Sequence, residues 1–444
     1  MPSLTLSASR SLRAFIFFGL YAVQGIPSGF ALTAVVNYLS ARNLDPEVIA
    51  NFAFRIGIPW SIQFLWGPLI DRFQGSPMGR RKPWVLGAQF AAFLASLGVI
   101  TVRDPANQVT ALSIAFLIHG LFASIQDASV DAMAISIIPE SERGQVNACM
   151  RAGIMVGAGV GAWFWAHLMR DSGFTTAAIA QSAVLLAMTL LTLFVRERPG
   201  DSLVPWGRRG QAAGEPSPVA GQAHDRDDVI KPSLRHVFRQ LILGFLAPRS
   251  LLIFLLVVLV YAGEAVFIQA YPRHLITHLG WTDTQASTYQ GTGGLAVGLT
   301  TTFLAFLLAD RLGPRRLMIV VMLLLGGFLV GFDLLGRRWS APGLAAGGLV
   351  SWYMFDPAFS VGCMPVLMGL CRKGVEGSQF TAYMALVNFA AAGGAKLSGW
   401  AQESFDAPQI GLATGVVILL SIPLMVVALR EGTAAPAGEP PGPG

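Results

Sequence analysis

Charged residues are scarce in this chain. They make up 13% of its 444 residues, while 53% are hydrophobic. Soluble proteins carry about 25% charged residues, so the composition argues against a soluble enzyme. The formal net charge of +6 does not indicate nucleic-acid binding, because the cations lie in short segments between apolar runs, as they do in membrane proteins.

Cysteines are also few. Cys149, Cys363 and Cys371 lie in or beside apolar segments, and their spacing matches neither a metal site nor a disulfide framework. We therefore expect no metal and no cofactor. The chain also lacks the Gly-x-x-x-x-Gly-Lys-Ser/Thr loop that binds nucleotide phosphates. This absence argues against ATP as an energy source.

Long apolar runs, in contrast, are abundant. A membrane-spanning helix needs about 20 predominantly apolar residues, and twelve runs are of roughly this length or longer. The sequence therefore predicts an all-α membrane protein with twelve transmembrane helices. In chain order the predicted helices are 13–38, 48–70, 84–102, 109–136, 146–168, 174–195, 250–271, 286–308, 317–335, 342–367, 378–400 and 408–428.

A polar segment separates the first six runs from the last six. Residues 199–232 are rich in Gly, Pro, Ser, Arg and Asp, which is typical of a flexible linker. Residues 233–246 have apolar side chains at helical spacing and cations between them, which predicts an amphipathic helix on the membrane surface. The predicted organisation is a six-helix bundle at 1–198, a cytoplasmic linker region at 199–248, a second bundle at 249–430 and a disordered tail at 431–444.

The positive charges are distributed unevenly between the two sides of the predicted bundle. With the N-terminus placed inside, 22 of the 31 Lys and Arg residues lie in cytoplasmic segments, six in outer loops and three within the membrane. Because Lys and Arg are enriched in cytoplasmic loops, we expect both termini to face the cytoplasm.

Three short motifs recur in the second half at similar offsets of 239, 240 and 234 residues. The pairs are Asp71-Arg72 with Asp310-Arg311, Tyr21-Ala-Val-Gln24 with Tyr261-Ala-Gly-Glu264, and Gln145-Val-Asn-Ala-Cys-Met150 with Gln379-Phe-Thr-Ala-Tyr-Met384. Similar offsets in the same order indicate two parallel, pseudo-symmetric six-helix repeats, which resembles the arrangement of major facilitator transporters.

The loop between the second and third predicted helices is strongly charged, and with its copy it is predicted to form a cytoplasmic gate. Asp131, about two turns from the cytoplasmic end of the fourth helix, is expected to pair with a loop cation. The alternative is that Asp131 shares proton carriage with Asp127, four residues away on the same helix face. The predicted gate residues are Asp71, Arg72, Arg80, Arg81, Asp131, Asp310 and Arg311.

Ionisable residues in the apolar runs cost several kcal/mol unless they face a partner or a water-filled cavity. Asp127, Glu264 and Asp356 lie in the fourth, seventh and tenth predicted helices, which line the central path in transporters with two such repeats. We predict that these three carboxylates carry protons. The structural alternatives are an ion pair between Asp127 and Arg151 and a capping role for Asp356 at the break before Pro357.

Polar and cationic side chains in the same helices or at similar depth are predicted to bind substrate. For Arg55 and Lys396 the alternative is that their long side chains extend so that the charged ends reach the outer membrane–water interface. His119 is expected to be a packing residue. The predicted substrate-binding residues are Gln24, Gln126, Arg151, Tyr261, Arg55 and Lys396.

Three stretches carry a closer family resemblance, which covers most of residues 15–160. The stretches are Gln24-Gly-Ile-Pro27; Phe64-Leu-Trp-Gly-Pro-Leu-Ile-Asp-Arg72 with Gly79-Arg-Arg-Lys-Pro-Trp84; and Gln126-Asp-Ala-Ser-Val-Asp131 with Glu142-Arg-Gly144 and Arg151-Ala-Gly153. Together they resemble the muropeptide permeases of the major facilitator superfamily and the related acetyl-CoA transporters. The resemblance implies a major facilitator fold and a proton-driven permease of the bacterial inner membrane that imports anhydro-muropeptides.

Other functions are compatible with parts of this pattern. An importer of a different solute, such as a siderophore or another organic anion, is the main alternative, because the second half has few signature residues. A membrane-embedded transferase would need a cluster of His, Asp and Ser, which the sequence lacks. A sensor on a transporter scaffold would need a signalling domain, and the linker has none that is recognisable. The expected partners are a small-molecule solute, protons and the lipid bilayer, and we expect a monomer.

Overall fold

A computed structural model describes residues 5–73, 76–139, 142–206, 246–371 and 376–430. These residues form twelve long helical segments and, apart from a single bridge between Thr5 and Arg196, no β-structure. The segments are α1 (Arg10–Ala41), α2 (Pro46–Ile70), α3 (Lys82–Ile100), α4 (Val109–Ile137), α5 (Arg143–Ser172), α6 (Phe174–Phe194), α7 (Pro248–Leu279), α8 (Asp283–Leu312), α9 (Pro314–Leu334), α10 (Pro342–Ser351 and Phe355–Gly369), α11 (Glu376–Gln402) and α12 (Ala407–Arg430). The predicted all-α architecture of twelve helices is confirmed.

Within the described ranges, ten of these helices are long and apolar enough to cross a membrane. The other two, α10 and α11, are of similar length but more polar. Asp356 lies in α10, and Asn388 and Lys396 lie in α11. Polar residues are expected in helices that border a polar pathway on one side.

The largest boundary error of the sequence prediction concerns α7. The prediction ended this helix at residue 271, but it continues through Pro272 to Leu279. Proline removes a backbone hydrogen bond, yet tertiary packing holds this turn: the Tyr271 ring packs edge-on against Trp339 at 4.7 Å, and its hydroxyl donates to the Ala345 carbonyl. The helix stops at Gly280, whose φ is +73°.

Parts of the predicted domain organisation stay predictions. Residues 207–245, which include nearly all of the predicted amphipathic helix 233–246, lie outside the described residues, and so does the predicted tail 431–444. The described ends of the linker region continue from α6 and lead into α7.

Helices α1 and α5 pack closely because glycines face the partner backbone. A Cβ atom added at Gly29 of α1 would lie 1.9 Å from the carbonyl oxygen of Ala158 in α5. One added at Gly157 of α5 would lie 1.9 Å from the carbonyl oxygen of Ala22 in α1. Close approach of this kind gives van der Waals contact between backbones, the main attraction available to helices in lipid.

The two six-helix halves contact each other from one end of the bundle to mid-depth, where Asn388 of α11 donates to the Trp60 carbonyl of α2 at 3.4 Å. We call this end the loop end: it carries the connections 42–45, 280–282 and 403–406, whereas the linker end carries residues 195–206 and the start of α7. At the loop end, the buried Asn37 amide of α1 donates to Gln290 Oε1 at 2.7 Å and to Ser287 Oγ at 2.9 Å in α8. Lys396 of α11 donates to Asn51 of α2 at 2.7 Å.

The linker end is open. Asp131 and Arg151, which lie in the linker-end halves of α4 and α5, are exposed, and so is Asp356 at mid-depth in α10. Residues at this depth would be covered if the halves met at both ends. The structure is therefore closed at the loop end and has a vestibule that opens at the linker end.

Replacing Gly157 with alanine is expected to destabilise the first half, because the added methyl group meets backbone that cannot move locally. Overpacking of this kind costs about 1–3 kcal/mol. The matched control is Gly87→Ala in α3, where nothing lies within 4 Å of an added Cβ. Thermal unfolding in detergent should show a lower melting temperature for Gly157→Ala alone, and equal values for the two variants would contradict the packing argument.

Candidate functional site

In the first half, two carboxylates of α4 face polar side chains of α1 and α2. Asp131 Oδ1 accepts a hydrogen bond from the Tyr21 hydroxyl at 2.5 Å. Asp127 Oδ2 accepts one from Gln63 Nε2, also at 2.5 Å. The two aspartates are four residues apart and therefore share a helix face. The proton-coupling candidate Asp127 and the gate candidate Asp131 thus lie in one polar cluster.

Gln63 is a site residue that the sequence prediction missed. Its position depends on a break in α2: regular α-helix ends at Ser61, shortly after Pro59, and a 3-10 turn follows at Gln63–Leu65. Prolines within helices commonly cause such breaks. The sequence feature that could have identified Gln63 is its position four residues after a proline inside a predicted helix.

Asp127 does not form the ion pair with Arg151 that the sequence suggested. It lies beside Gln24 and Tyr21, and Arg151 acts on it only through a longer-range electrostatic interaction. Neither residue takes part in an ion pair among the described residues, and Arg151 instead donates to Ser360 Oγ of α10 at 3.3 Å. The long guanidinium side chain reaches across to the second half, which explains the difference.

Arg151 is placed to act on carboxylates from both halves. Its charge interacts with Asp127 of α4 and with Asp356 of α10. The side chain is exposed in the vestibule, so an anion entering from the linker end can reach it. A guanidinium offers several donors in a fixed plane and binds carboxylates or phosphates through paired hydrogen bonds.

The second half contributes Glu264 of α7 and Asp356 of α10. Glu264 is 7% exposed, and its Oε1 has no hydrogen-bond partner in the described structure. Asp356 is exposed and lies in the first turn after the 3-10 turn Trp352–Met354. The predicted break before Pro357 is therefore present. Among the described residues Asp356 makes no hydrogen bond, so the capping alternative is not observed.

Tyr261, a predicted substrate residue, lies one turn before Glu264. Its ring packs edge-on against Phe359 at 5.5 Å, and its hydroxyl lies beside Ser360. Ser360 is also the residue that Arg151 contacts. Tyr261 therefore belongs to the same site as Arg151 and Asp356.

Four other residues singled out from the sequence lie apart from this site or are buried. Arg55 donates to Ser113 Oγ at 2.8 Å and links α2 to α4. Lys396 links the two halves at the loop end. Gln126 and His119 of α4 are both buried, 4% exposed, and His119 Nδ1 lies 3.0 Å from the Ala92 carbonyl, consistent with the packing role expected for it. The structure does not bring Arg55 and Lys396 to the Arg151 site.

In the described conformation the hydrogen-bond partner of Asp131 is Tyr21, not a loop cation, and its gate role stays a prediction. Arg72 instead lies over the Phe73 ring, with its guanidinium carbon 5.8 Å from the ring centroid. The gate assignments of the loops themselves stay predictions. Arg80, Asp310 and Arg311 are exposed at the linker end, Arg81 is partly buried there, and the Asp71 side chain lies outside what is described.

Comparisons with known proteins identify the family. The model for the Major Facilitator Superfamily matches residues 17–253, more than half of the chain. The chain belongs to this superfamily. It is therefore a multi-pass membrane protein that transports small-molecule solutes and is not an enzyme, and its two six-helix halves are the two bundles of the major facilitator fold.

Individual relatives are more distant. The anhydromuropeptide permease of Escherichia coli (strain K12) is 24% identical over 417 residues, which cover 91% of this transporter and 77% of the permease. An uncharacterized protein of Haemophilus influenzae is 31% identical over 187 residues, covering 40% of this chain and 42% of that protein. A crystal structure of a mutant nucleoside transporter, NupG, superposes with a TM-score of 0.67 at 14% identity, covering 94% and 99% of the two chains. At that identity the likeness concerns the fold alone.

Replacing Asn37 with alanine is expected to weaken closure of the transporter at the loop end, because the buried Ser287 and Gln290 side chains lose their partner across the halves. Hydrogen bonds of this kind contribute about 0.5–1.5 kcal/mol each. Spin labels at the exposed positions Asn43 and Glu403 report the separation of the halves, and Asn37→Ala should add a longer-distance population. Ser40→Ala, which removes a bond within α1 only, is the control; identical distance distributions for all three proteins would argue against this contact.

Proposed function

We propose that this transporter imports an anionic solute together with protons across the bacterial inner membrane, and that the solute is an anhydro-muropeptide. The observation that carries the proposal is the position of Arg151 in the open vestibule, within electrostatic range of carboxylates from both halves. An anion bound by Arg151 would compete with Asp127 and Asp356 for the same positive charge. Competition of this kind couples solute binding to the protonation of the carboxylates.

The proposed orientation places the linker end in the cytoplasm. The topology predicted from the sequence assigns 22 of the 31 Lys and Arg residues to cytoplasmic segments and six to outer loops, which favours cytoplasmic termini. The described conformation is then open to the cytoplasm and closed to the outside. It corresponds to the state that releases an imported solute. Because a single chain encloses the vestibule with two six-helix bundles, we propose that the monomer is the working unit.

The choice of solute is supported by the relative and by the chemistry of the site. The E. coli relative is named an anhydromuropeptide permease. Muropeptides combine carboxylates with sugar hydroxyls and amides, and the site offers one guanidinium for the former and Gln24 and Tyr261 for the latter. Another organic anion, including a siderophore, fits the same guanidinium. Uptake of labelled anhydro-muropeptide and of other organic anions into proteoliposomes, with and without an imposed proton gradient, shows which solute is transported. If neither class accumulates in response to the gradient, proton coupling is overturned.

Replacing Glu264 with glutamine is expected to abolish gradient-driven accumulation while solute exchange continues. Glutamine keeps the size of the side chain but cannot ionise, and Glu264 is buried without a partner for Oε1. The measurements are uptake under a proton gradient and counterflow without one, in proteoliposomes. Glu403→Gln, an exposed carboxylate at the loop end, is the control. Equal loss of accumulation and counterflow in Glu264→Gln would indicate a structural or solute-binding role instead.

Replacing Arg151 with glutamine is expected to weaken binding of the anionic solute. A hydrogen bond to a charged group contributes about 1.5–3 kcal/mol, equivalent to a rise in Kd of about ten- to a hundredfold. Binding measured by calorimetry in detergent provides the test. The control is a solute analogue whose carboxylates are amidated, whose affinity should change little. Equal weakening for the acid and the amide would show that Arg151 does not bind the anionic group.

A further inference from the structure

We propose that Tyr21 is a proton-transfer residue that connects Asp127 to Asp131 and thereby releases the coupled proton at the linker end. This proposal rests on the proton coupling proposed above and adds a route for the proton. We call Asp127, Tyr21 and Asp131 together the Tyr21 relay.

The Tyr21 hydroxyl stands between the two carboxylates. It donates to Asp131 Oδ1 at 2.5 Å and also lies beside the Asp127 carboxylate. A phenolic hydroxyl can donate one hydrogen bond and accept others at the same time. Gln63 contacts the same carboxylate from α2 by donating to Asp127 Oδ2, and Gln24 of α1 also lies beside it.

The relay leads from the protein interior to the open vestibule. Asp127 lies ten residues before the end of α4 at Ile137 and Asp131 lies six before it, so their depths below the linker end are about 15 Å and 9 Å. Tyr21 is 8% exposed, Asp127 is half-buried and Asp131 is exposed. A proton that reaches Asp131 can therefore pass directly to water.

The transfer step is balanced. Asp127 in its acid form gives its proton to the Tyr21 oxygen while the Tyr21 hydroxyl proton moves to the Asp131 carboxylate. One O–H bond breaks and one forms at each exchange, Tyr21 is neutral before and after, and the net result is movement of one proton from Asp127 to Asp131. Asp131 then releases the proton to water in the vestibule.

The groups around the relay favour this direction when the solute has left. Arg151 faces Asp127 from α5, while α1 contributes Gln24 and α2 contributes Gln63. The positive charge of Arg151 stabilises ionised Asp127 once no anion neutralises it. Departure of an anionic solute from Arg151 would therefore trigger proton loss from Asp127.

The corresponding positions of the second half lack such a relay. Tyr261 matches Tyr21 at the offset of 240 residues, but Asp356 lies 229 residues after Asp127, outside the offsets that relate the halves, and the residue four positions after Asp356 is Ser360 rather than a carboxylate. Ser360 accepts the hydrogen bond from Arg151, and its hydroxyl does not take up a proton as the Asp131 carboxylate can. The structure thus assigns proton release to the first half alone.

The test is Tyr21→Phe, which keeps the ring and removes the hydroxyl. In proteoliposomes, solute-driven proton movement is read by an entrapped pH-sensitive dye, and solute counterflow is measured separately with labelled anhydro-muropeptide. We expect proton movement to fall by about a hundredfold or more, the usual contribution of a positioned proton-transfer group, while counterflow is retained. Tyr38→Phe, at the loop end of the same helix, should match the wild type in both.

A second variant distinguishes loss of the relay from a folding defect in Tyr21→Phe. Asp131→Asn removes the final acceptor without touching Tyr21, and it should reproduce the selective loss of proton movement. If Tyr21→Phe moves protons as fast as the wild type does, and the wild type accumulates solute under a proton gradient, the relay is overturned. The proposed function is then unaffected. If both variants lose proton movement and counterflow equally, the relay is overturned, and Tyr21 and Asp131 have a structural role instead. Absence of gradient-driven accumulation in the wild type would overturn both proposals.

Discussion

The cost of placing a charge in hydrocarbon determines where the chemistry of this transporter can lie. An ionisable side chain at the centre of a bilayer costs several kcal/mol unless it reaches a polar partner or water. The structure meets this constraint by placing Asp131, Arg151 and Asp356 along an open vestibule and by giving Asp127 an amide partner in Gln63. The vestibule lies on the linker-end side of the contacts that join the two halves, which extend from the loop end to mid-depth.

The pseudo-symmetry of the halves is informative where it fails. Tyr21 and Tyr261 occupy matching positions, whereas Asp127 and Asp356 lie 229 residues apart, outside the offsets of 234 to 240 that relate the halves. The cation comes from α5 of the first half alone, and it reaches across to Ser360 of the second. A carboxylate on each side of one shared cation gives an arrangement in which closing or opening the halves changes the electrostatic partner of that cation. Symmetric sites would not respond in this way.

The sequence predicted the helices well because length and apolarity are local properties of the chain. It missed the continuation of α7 past Pro272, since that turn depends on packing against Trp339, which lies far along the chain. Charged site residues such as Asp127 were found because a carboxylate in an apolar run is conspicuous. Gln63 was missed because a neutral amide in a helix is not. The contact of Arg151 with Ser360 could not be predicted either, since it depends on how the halves are arranged in one conformation.

The closed loop end is built from different interactions than the site, and this difference suits a structure that must open repeatedly. Its buried contacts are neutral: the Asn37 amide bonds Ser287 and Gln290, and each such bond contributes about 0.5–1.5 kcal/mol. Two cations also donate across the halves there, Lys396 to Asn51 and Arg170 to Thr284, and both are exposed, so water offsets much of the loss of these contacts. Breaking a buried ion pair by removing one partner would instead cost about 3–5 kcal/mol. A loop end held by neutral bonds and by hydrogen bonds from exposed cations can therefore separate at a cost that solute and proton binding at the site are able to offset.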